Sequence, residues 1–131
     1  MANKSAIKKA FYKTTDALFD DILKISENND NYKKLRSYYN QYSLVKDMNS
    51  KFIIDSFILS VYPFKEQIEN RNEDFFTSNE FIKDAVVDTN DFNFAISLKT
   101  MWKTNLSDEN KKIIWDYFNV LMKLCQKYIS N

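Results

Sequence analysis

The sequence predicts an all-α protein, a single compact helical bundle of about five to seven helices spanning residues 1–131. Three observations lead there. The chain contains no glycine and one proline, which removes the residues that tight hairpins, strand bulges and phosphate-cradling loops depend on. Apolar residues recur three and four apart over several long stretches. Ser, Thr, Asp and Asn are plentiful, so helix ends can be capped, and Asn in the left-handed conformation can close the connections. With 44% hydrophobic and 28% charged residues the composition is globular, and a chain of this length builds one core without metals or disulfides.

Over residues 5–27 one helical face carries Ile7, Phe11, Leu18, Ile22 and Ile25, with Thr14 filling the gap. The polar run 27–31 reads as a connection, and Tyr32, Leu35, Tyr39 and Tyr42 mark a second, more polar helix whose core face is largely tyrosine. Asn49 or Ser50 can cap a third helix in which Phe52, Ile53, Ile54, Phe57, Ile58, Leu59 and Val61 leave only Asp55, Ser56 and Ser60 polar, a pattern that belongs in the centre of a bundle. Pro63 disfavours the α conformation at Tyr62, so that helix is expected to stop or kink there before a short turn over residues 65–71.

Phe75 and Phe76 are placed as a core plug. Thr77 and Glu80 fit a capping box ahead of a short helix through Phe81 and Ile82. Thr89 or Asn90 can open a helix with Phe94, Leu98, Met101 and Trp102 inward and Asn93, Ser97, Thr100 and Thr104 outward. Ser107 followed by Asp108 and Glu109 is a strong helix start. The helix it opens has a polar stripe of Lys112, Asp116, Asn119, Lys123 and Lys127 opposite Ile114, Phe118, Leu121, Cys125 and Tyr128.

The single cysteine, Cys125, and the lack of an apolar leader near Met1 predict an intracellular protein. Residues 52–62, the most apolar stretch, fall far short of the roughly 20 needed to span a bilayer. With 19 basic and 18 acidic residues, no global field steers the chain to nucleic acid or to an acidic membrane.

No histidine means no Ser-His or Cys-His nucleophile pair and no His-ligated zinc or iron; no glycine means no Walker loop, dinucleotide fingerprint or nucleophile elbow. No catalytic, cofactor-binding or metal-ligating residue is assigned, and no cofactor is expected. Carboxylates could still act if Glu66, Glu69 and Glu73 shared a helix face, and Asp16, Asp20 and Asp21 could hold a hard cation weakly, although a solvated surface explains both sets. Cys125, with no base to activate it, reads as a small buried hydrophobe.

The second helix carries the candidate interaction face: Tyr32, Lys33, Arg36, Tyr38 and Tyr42. Lys33, Lys34 and Arg36 beside Tyr32, Tyr38 and Tyr39 could also pair phosphate contacts with base stacking. Against that, Lys8-Lys9 and Lys111-Lys112 are too scattered to extend a basic stripe, and arginine occurs only at Arg36 and Arg71, so nucleic acid is the secondary reading.

Val61-Tyr62-Pro63-Phe64-Lys65 through Ile68 to Glu73-Asp74-Phe75-Phe76, followed by Leu98, Trp102 and then Ile114-Trp115-Asp116-Tyr117-Phe118, resembles a group of small all-helical proteins of nucleocytoplasmic large DNA viruses, mimivirus-like ones especially. The resemblance covers roughly residues 50–128 and rests on aromatic packing motifs. It implies a viral protein in the host cytoplasm or the virion and carries no catalytic residue with it. The resulting expectation is a non-enzymatic protein acting through an unidentified protein partner, with a nucleic-acid binder second and a carboxylate enzyme third.

Overall fold

The computed structural model describes residues 3–28, 30, 32–74 and 106–130. These residues are all-α, with no strand among them: α1 (Lys4–Ile25), α2 (Tyr32–Met48), α3 (Phe52–Ser60), a 3₁₀ turn (Tyr62–Phe64), α4 (Lys65–Glu69) and α5 (Asp108–Ser130). The expectations for Phe75 and Phe76, the capping box at 77–80, the helix through Phe81 and Ile82 and the helix starting at Thr89 or Asn90 lie outside the described residues.

α1 and α5 begin where a side chain satisfies their free amides. Asn3 Oδ1 accepts from the Ala6 amide at 2.8 Å to start α1, two residues before the expected boundary. At the other end the buried Ser26 hydroxyl donates to the Ile22 carbonyl at 2.8 Å, satisfying one of the last acceptors. Ser107 Oγ accepts from the Asn110 amide at 3.1 Å, and Asp108 and Glu109 occupy the first turn of α5, where the helix dipole favours negative charge.

α3 is different: Lys51 precedes it without any side-chain cap. Asn49 Oδ1 instead accepts from the Lys51 amide at 3.1 Å, shaping the turn, while Ser50 is engaged by α1. The Ser50 hydroxyl accepts from Lys8 Nζ at 3.2 Å and its carbonyl accepts from the Tyr12 hydroxyl.

α1 and α5 run antiparallel along each other and form the main pair. Lys4 at the start of α1 lies 5.0 Å from the ring of Tyr128 at the end of α5, and the Tyr117 hydroxyl donates to Asp21 Oδ2 nearer the other end. α1 and α2 form an antiparallel hairpin, with Phe19 packed on Tyr39 and Tyr42, and Thr15 and Asp16 facing Tyr42 and Lys46. One continuous core collects Ile7, Phe11, Leu18, Phe19 and Ile22 from α1, Leu35 and Tyr42 from α2, Ile53, Ile54 and Phe57 from α3, Ile68 from α4, and the inner face of α5. The apolar face expected for α5 is the buried one, widened by Trp115 and Met122. In α1 the buried threonine is Thr15; Thr14, named as the gap-filler, is half-buried with its hydroxyl bonded to the Ala10 carbonyl.

Three expectations need correction. α3 does not lie in the centre on all sides, because Leu59 is 72% exposed: a nine-residue helix stopped by the Pro63 turn buries Ile53, Ile54 and Phe57 fully and Phe52 and Ile58 in part. Residues 65–71 are not a plain turn but a short helix with a complete C-terminal closure. The Asn72 amide donates to the Gln67 carbonyl at 2.9 Å and the Arg71 amide to that of Ile68 at 3.0 Å, with Arg71 at φ 53°. That left-handed position is filled by arginine rather than by the expected Asn.

Candidate functional site

Helix periodicity divides α2 cleanly. Leu35 and Tyr42 are buried against the core, and Tyr32, Tyr38, Tyr39 and Val45 are half-buried around them. The line pointing directly away from the core carries Lys33, Ser37, Asn40, Leu44 and Met48, at steps of four, three, four and four residues, and all are exposed. Lys34 and Arg36 flank its amino-terminal end, also exposed. Leu44 and Met48 are 62% and 78% exposed, which places two large apolar side chains on successive turns of the outermost line.

On one side of this stripe a groove of about 270 Å3 opens between α1 and α2, lined by Asp20, Leu23, Lys24, Glu27, Tyr32 and Arg36. Asp20, Leu23 and Lys24 on one face of α1, continued by Glu27 in the turn after it, form one wall, and Tyr32 and Arg36, one turn apart, form the other. Leu23 supplies the apolar lining and both signs of charge surround it. The Arg36 guanidinium lies 5.6 Å from the Tyr39 ring, a contact that aligns the cation along the helix surface.

Of the residues expected on the interaction face, Tyr32, Lys33 and Arg36 do share the accessible side of α2, with Tyr32 and Arg36 in the groove. Tyr38 is half-buried against the core. Tyr42 is fully buried and must be removed from the face. Its hydroxyl lies 2.6 Å from Asp16 Oδ1 and 2.5 Å from Thr15 Oγ1, and Lys46 Nζ reaches both oxygens of Asp16 at 3.0 and 3.1 Å. A polar partner on α1 lets a tyrosine be buried completely, and nothing within α2 itself signals that partner. The residues sequence reasoning missed are Leu44 and Met48; their i, i+4 spacing opposite Leu35 and Tyr42 was the available signal.

The carboxylates do not assemble into a catalytic or cation-binding set. Glu69 closes α4 beside Lys65 at 3.6 Å, whereas Glu73 lies beyond the Arg71 reversal and pairs with Lys111 at 2.9 Å, which raises the Lys111 pKa. Asp16 is taken by Lys46 and Tyr42, and Asp21 by Tyr117. Among the described residues no group of three or more His, Cys, Asp or Glu could hold a metal ion, and no helix is long and apolar enough to cross a membrane. Burial pushes the Cys125 thiol up to about 12, away from the range of a nucleophile.

No protein-family model matches this chain, and no curated protein or solved structure matches it.

Proposed function

We propose that this protein is not an enzyme and works by contact with another protein, through the outward stripe of α2 and the groove beside it. The observation that carries the reading is the exposure of Leu44 and Met48 on consecutive turns of the same line as Lys33. Single apolar side chains at a surface are ordinary. A pair of them one turn apart on a helix, next to a groove lined by Tyr32 and Arg36, supplies the aromatic, methionine and arginine content in which interface centres are enriched.

The near-zero net charge favours a protein partner over nucleic acid, because long-range attraction to a phosphate backbone needs a surplus of cations that the chain lacks. On the resemblance noted above, the setting is the host cytoplasm or a virus particle, and the described helices belong to a single bundle of about five to seven helices.

The test is site-specific photo-cross-linking in the cells that make the protein, with the reactive side chain at position 48 and, as control, at exposed position 123 on α5. Capture of a discrete protein from 48 but not from 123, abolished by Leu44→Ser together with other changes on the stripe, supports the reading. Equal, diffuse labelling from both positions removes it.

A further inference from the structure

We propose that the segment docking on α2 is an acidic amphipathic helix, its carboxylates against Lys33, Lys34 and Arg36 and its apolar side chains against Leu44 and Met48. This rests on the contact reading above and names the chemistry of the partner.

The argument begins with charge. Lys33, Lys34 and Arg36 lie within the first five residues of α2, and its first turn contains no acid. A helix amino terminus already carries about half a positive elementary charge, so cations there repel the backbone as well as one another. Some exposed cations elsewhere are paired, Lys51 with Asp55 and Arg71 and Lys112 with Asp116, whereas exposed Lys9, Lys13, Lys24 and Lys123 form no ion pair among the described residues. None of Lys33, Lys34 and Arg36 forms an ion pair among the described residues. Carboxylates brought by a partner would relieve that repulsion and complement the backbone dipole at once.

The opposite end of the stripe decides between partner classes. A nucleic acid could satisfy the three cations, yet it would leave Leu44 and Met48 in water, since its outer surface is phosphate and sugar. A protein segment with acids at one end and apolar residues at the other covers both.

A helix suits the shape. The exposed line from Lys33 to Met48 is about 22 Å long at 1.5 Å per residue, with ridges at helical spacing that another helix can engage over four turns. Helices laid against a surface in this way anchor through residues at i, i+3, i+4 and i+7.

A labelled peptide of about 18 residues, with glutamates on one face of its first two turns and leucines on the same face of its last two, serves as the probe. Its binding to the full chain is followed by fluorescence anisotropy. The expected result is saturable binding, weakened about tenfold or more by Glu→Gln in the peptide, and similarly by Lys33→Glu with Lys34→Glu, or by Leu44→Ser with Met48→Ser, in the protein. The charge-reversed protein is expected to regain binding to a lysine version of the peptide. That regained binding should again weaken with added salt. Because all substituted side chains are exposed, urea midpoints unchanged for the serine pair, and unchanged or raised for the glutamate pair at the helix start, verify that the variants fold.

Equal binding of the Glu and Gln peptides, or no binding of either, overturns the acidic helix. If the cross-link from position 48 persists in that case, only the partner's chemistry falls and the contact reading stands. Tighter, Lys33-dependent binding of a 20-base-pair DNA duplex than of the peptide, on the order of tenfold, overturns both.

Discussion

The Tyr42 hydroxyl donates its single proton to Asp16 Oδ1 at 2.6 Å, so in its 2.5 Å contact with Thr15 Oγ1 it accepts, the Thr15 proton being shared with the Tyr12 carbonyl at 3.1 Å. An ionised carboxylate only accepts, and that fixes the direction of the chain of bonds. Lys46, one helical turn after Tyr42, completes it by gripping both Asp16 oxygens while lying 5.2 Å from the Tyr42 ring. Four side chains therefore lock the middle of the α1–α2 hairpin, and the hydroxyl at their centre is completely buried. Tyr42→Phe removes that hydroxyl while keeping the ring, and is expected to cost about 1–2 kcal/mol, with Tyr42→Ala costing about 3–5 kcal/mol through the cavity it leaves. Urea unfolding with an unchanged m-value measures both, and a Tyr42→Phe midpoint equal to wild type would show that the network contributes nothing net.

The alkaline limit of the fold follows from groups that share one sign. Burial pushes Tyr12 up to about 12, a hydrogen bond to Asp21 followed by burial does the same for Tyr117, and burial with the Asp16 hydrogen bond raises Tyr42 further. Each is raised from 10.0, so its stabilising contribution is complete below pH 10 and is lost as pH rises through the folded-state value. Cys125, raised from 9.0 to about 12, begins the same loss above pH 9. Stability measured by urea unfolding should therefore fall from about pH 9 upward. Absorbance at 295 nm should show these three of the eight tyrosines still protonated at pH 11 while helicity persists, and ionising together when it collapses. Complete tyrosine ionisation by pH 11 in a fully helical protein would contradict the buried hydroxyls.

Helix boundaries and faces were the most legible part of the sequence, because they depend on neighbours within a few residues. Ser107, Asp108 and Glu109 announce α5, and the spacing of Ile114, Phe118, Leu121, Cys125 and Tyr128 marks its buried face. What the sequence concealed depends on residues far along the chain. Tyr42 looked available for a partner because its partners, Thr15 and Asp16, stand 27 and 26 positions away on α1. Ser50 looked like a cap for α3, but Tyr12 and Lys8 claim it from 38 and 42 positions away. Of the residues expected on the interaction face, Lys33 and Arg36 are exposed. Leu44 and Met48 entered no expectation, since hydrophobicity alone does not tell which side of a mixed helix turns outward.

Leu44 and Met48 should be silent in stability. Both are largely exposed, so Leu44→Ser with Met48→Ser is expected to change the unfolding free energy by no more than about 0.5 kcal/mol. Phe118→Ala, which opens a cavity in the buried face of α5, is expected to cost about 3–5 kcal/mol in the same assay. A large loss from the surface pair would mean that these side chains are covered within the folded chain, and the contact face would have to be sought elsewhere.

Arg71 occupies the position where helices ordinarily end in glycine. A Cβ in the left-handed region costs roughly 1–2 kcal/mol, offset here only in part by the arginine side chain crossing to Asp116 on α5 at 2.7 Å. Asp116 also pairs with Lys112, and the two cations hold its carboxyl below the usual range, so this contact is present above the ordinary carboxylate pKa and is lost as pH falls through the lowered value. Both partners of the ion pair are more than a third exposed, so solvent screens it and it is the weaker of the two effects. Arg71→Gly relieves the backbone and gives up the weaker term, and is therefore expected to leave stability unchanged or raise it by up to about 1 kcal/mol. Arg71→Ala keeps the strained φ of 53° without the ion pair and should be the least stable of the three. Urea midpoints in the order Gly at or above Arg, with Ala lowest, are the expected outcome; Gly falling below Ala would mean that the guanidinium, and not the backbone, decides this helix end.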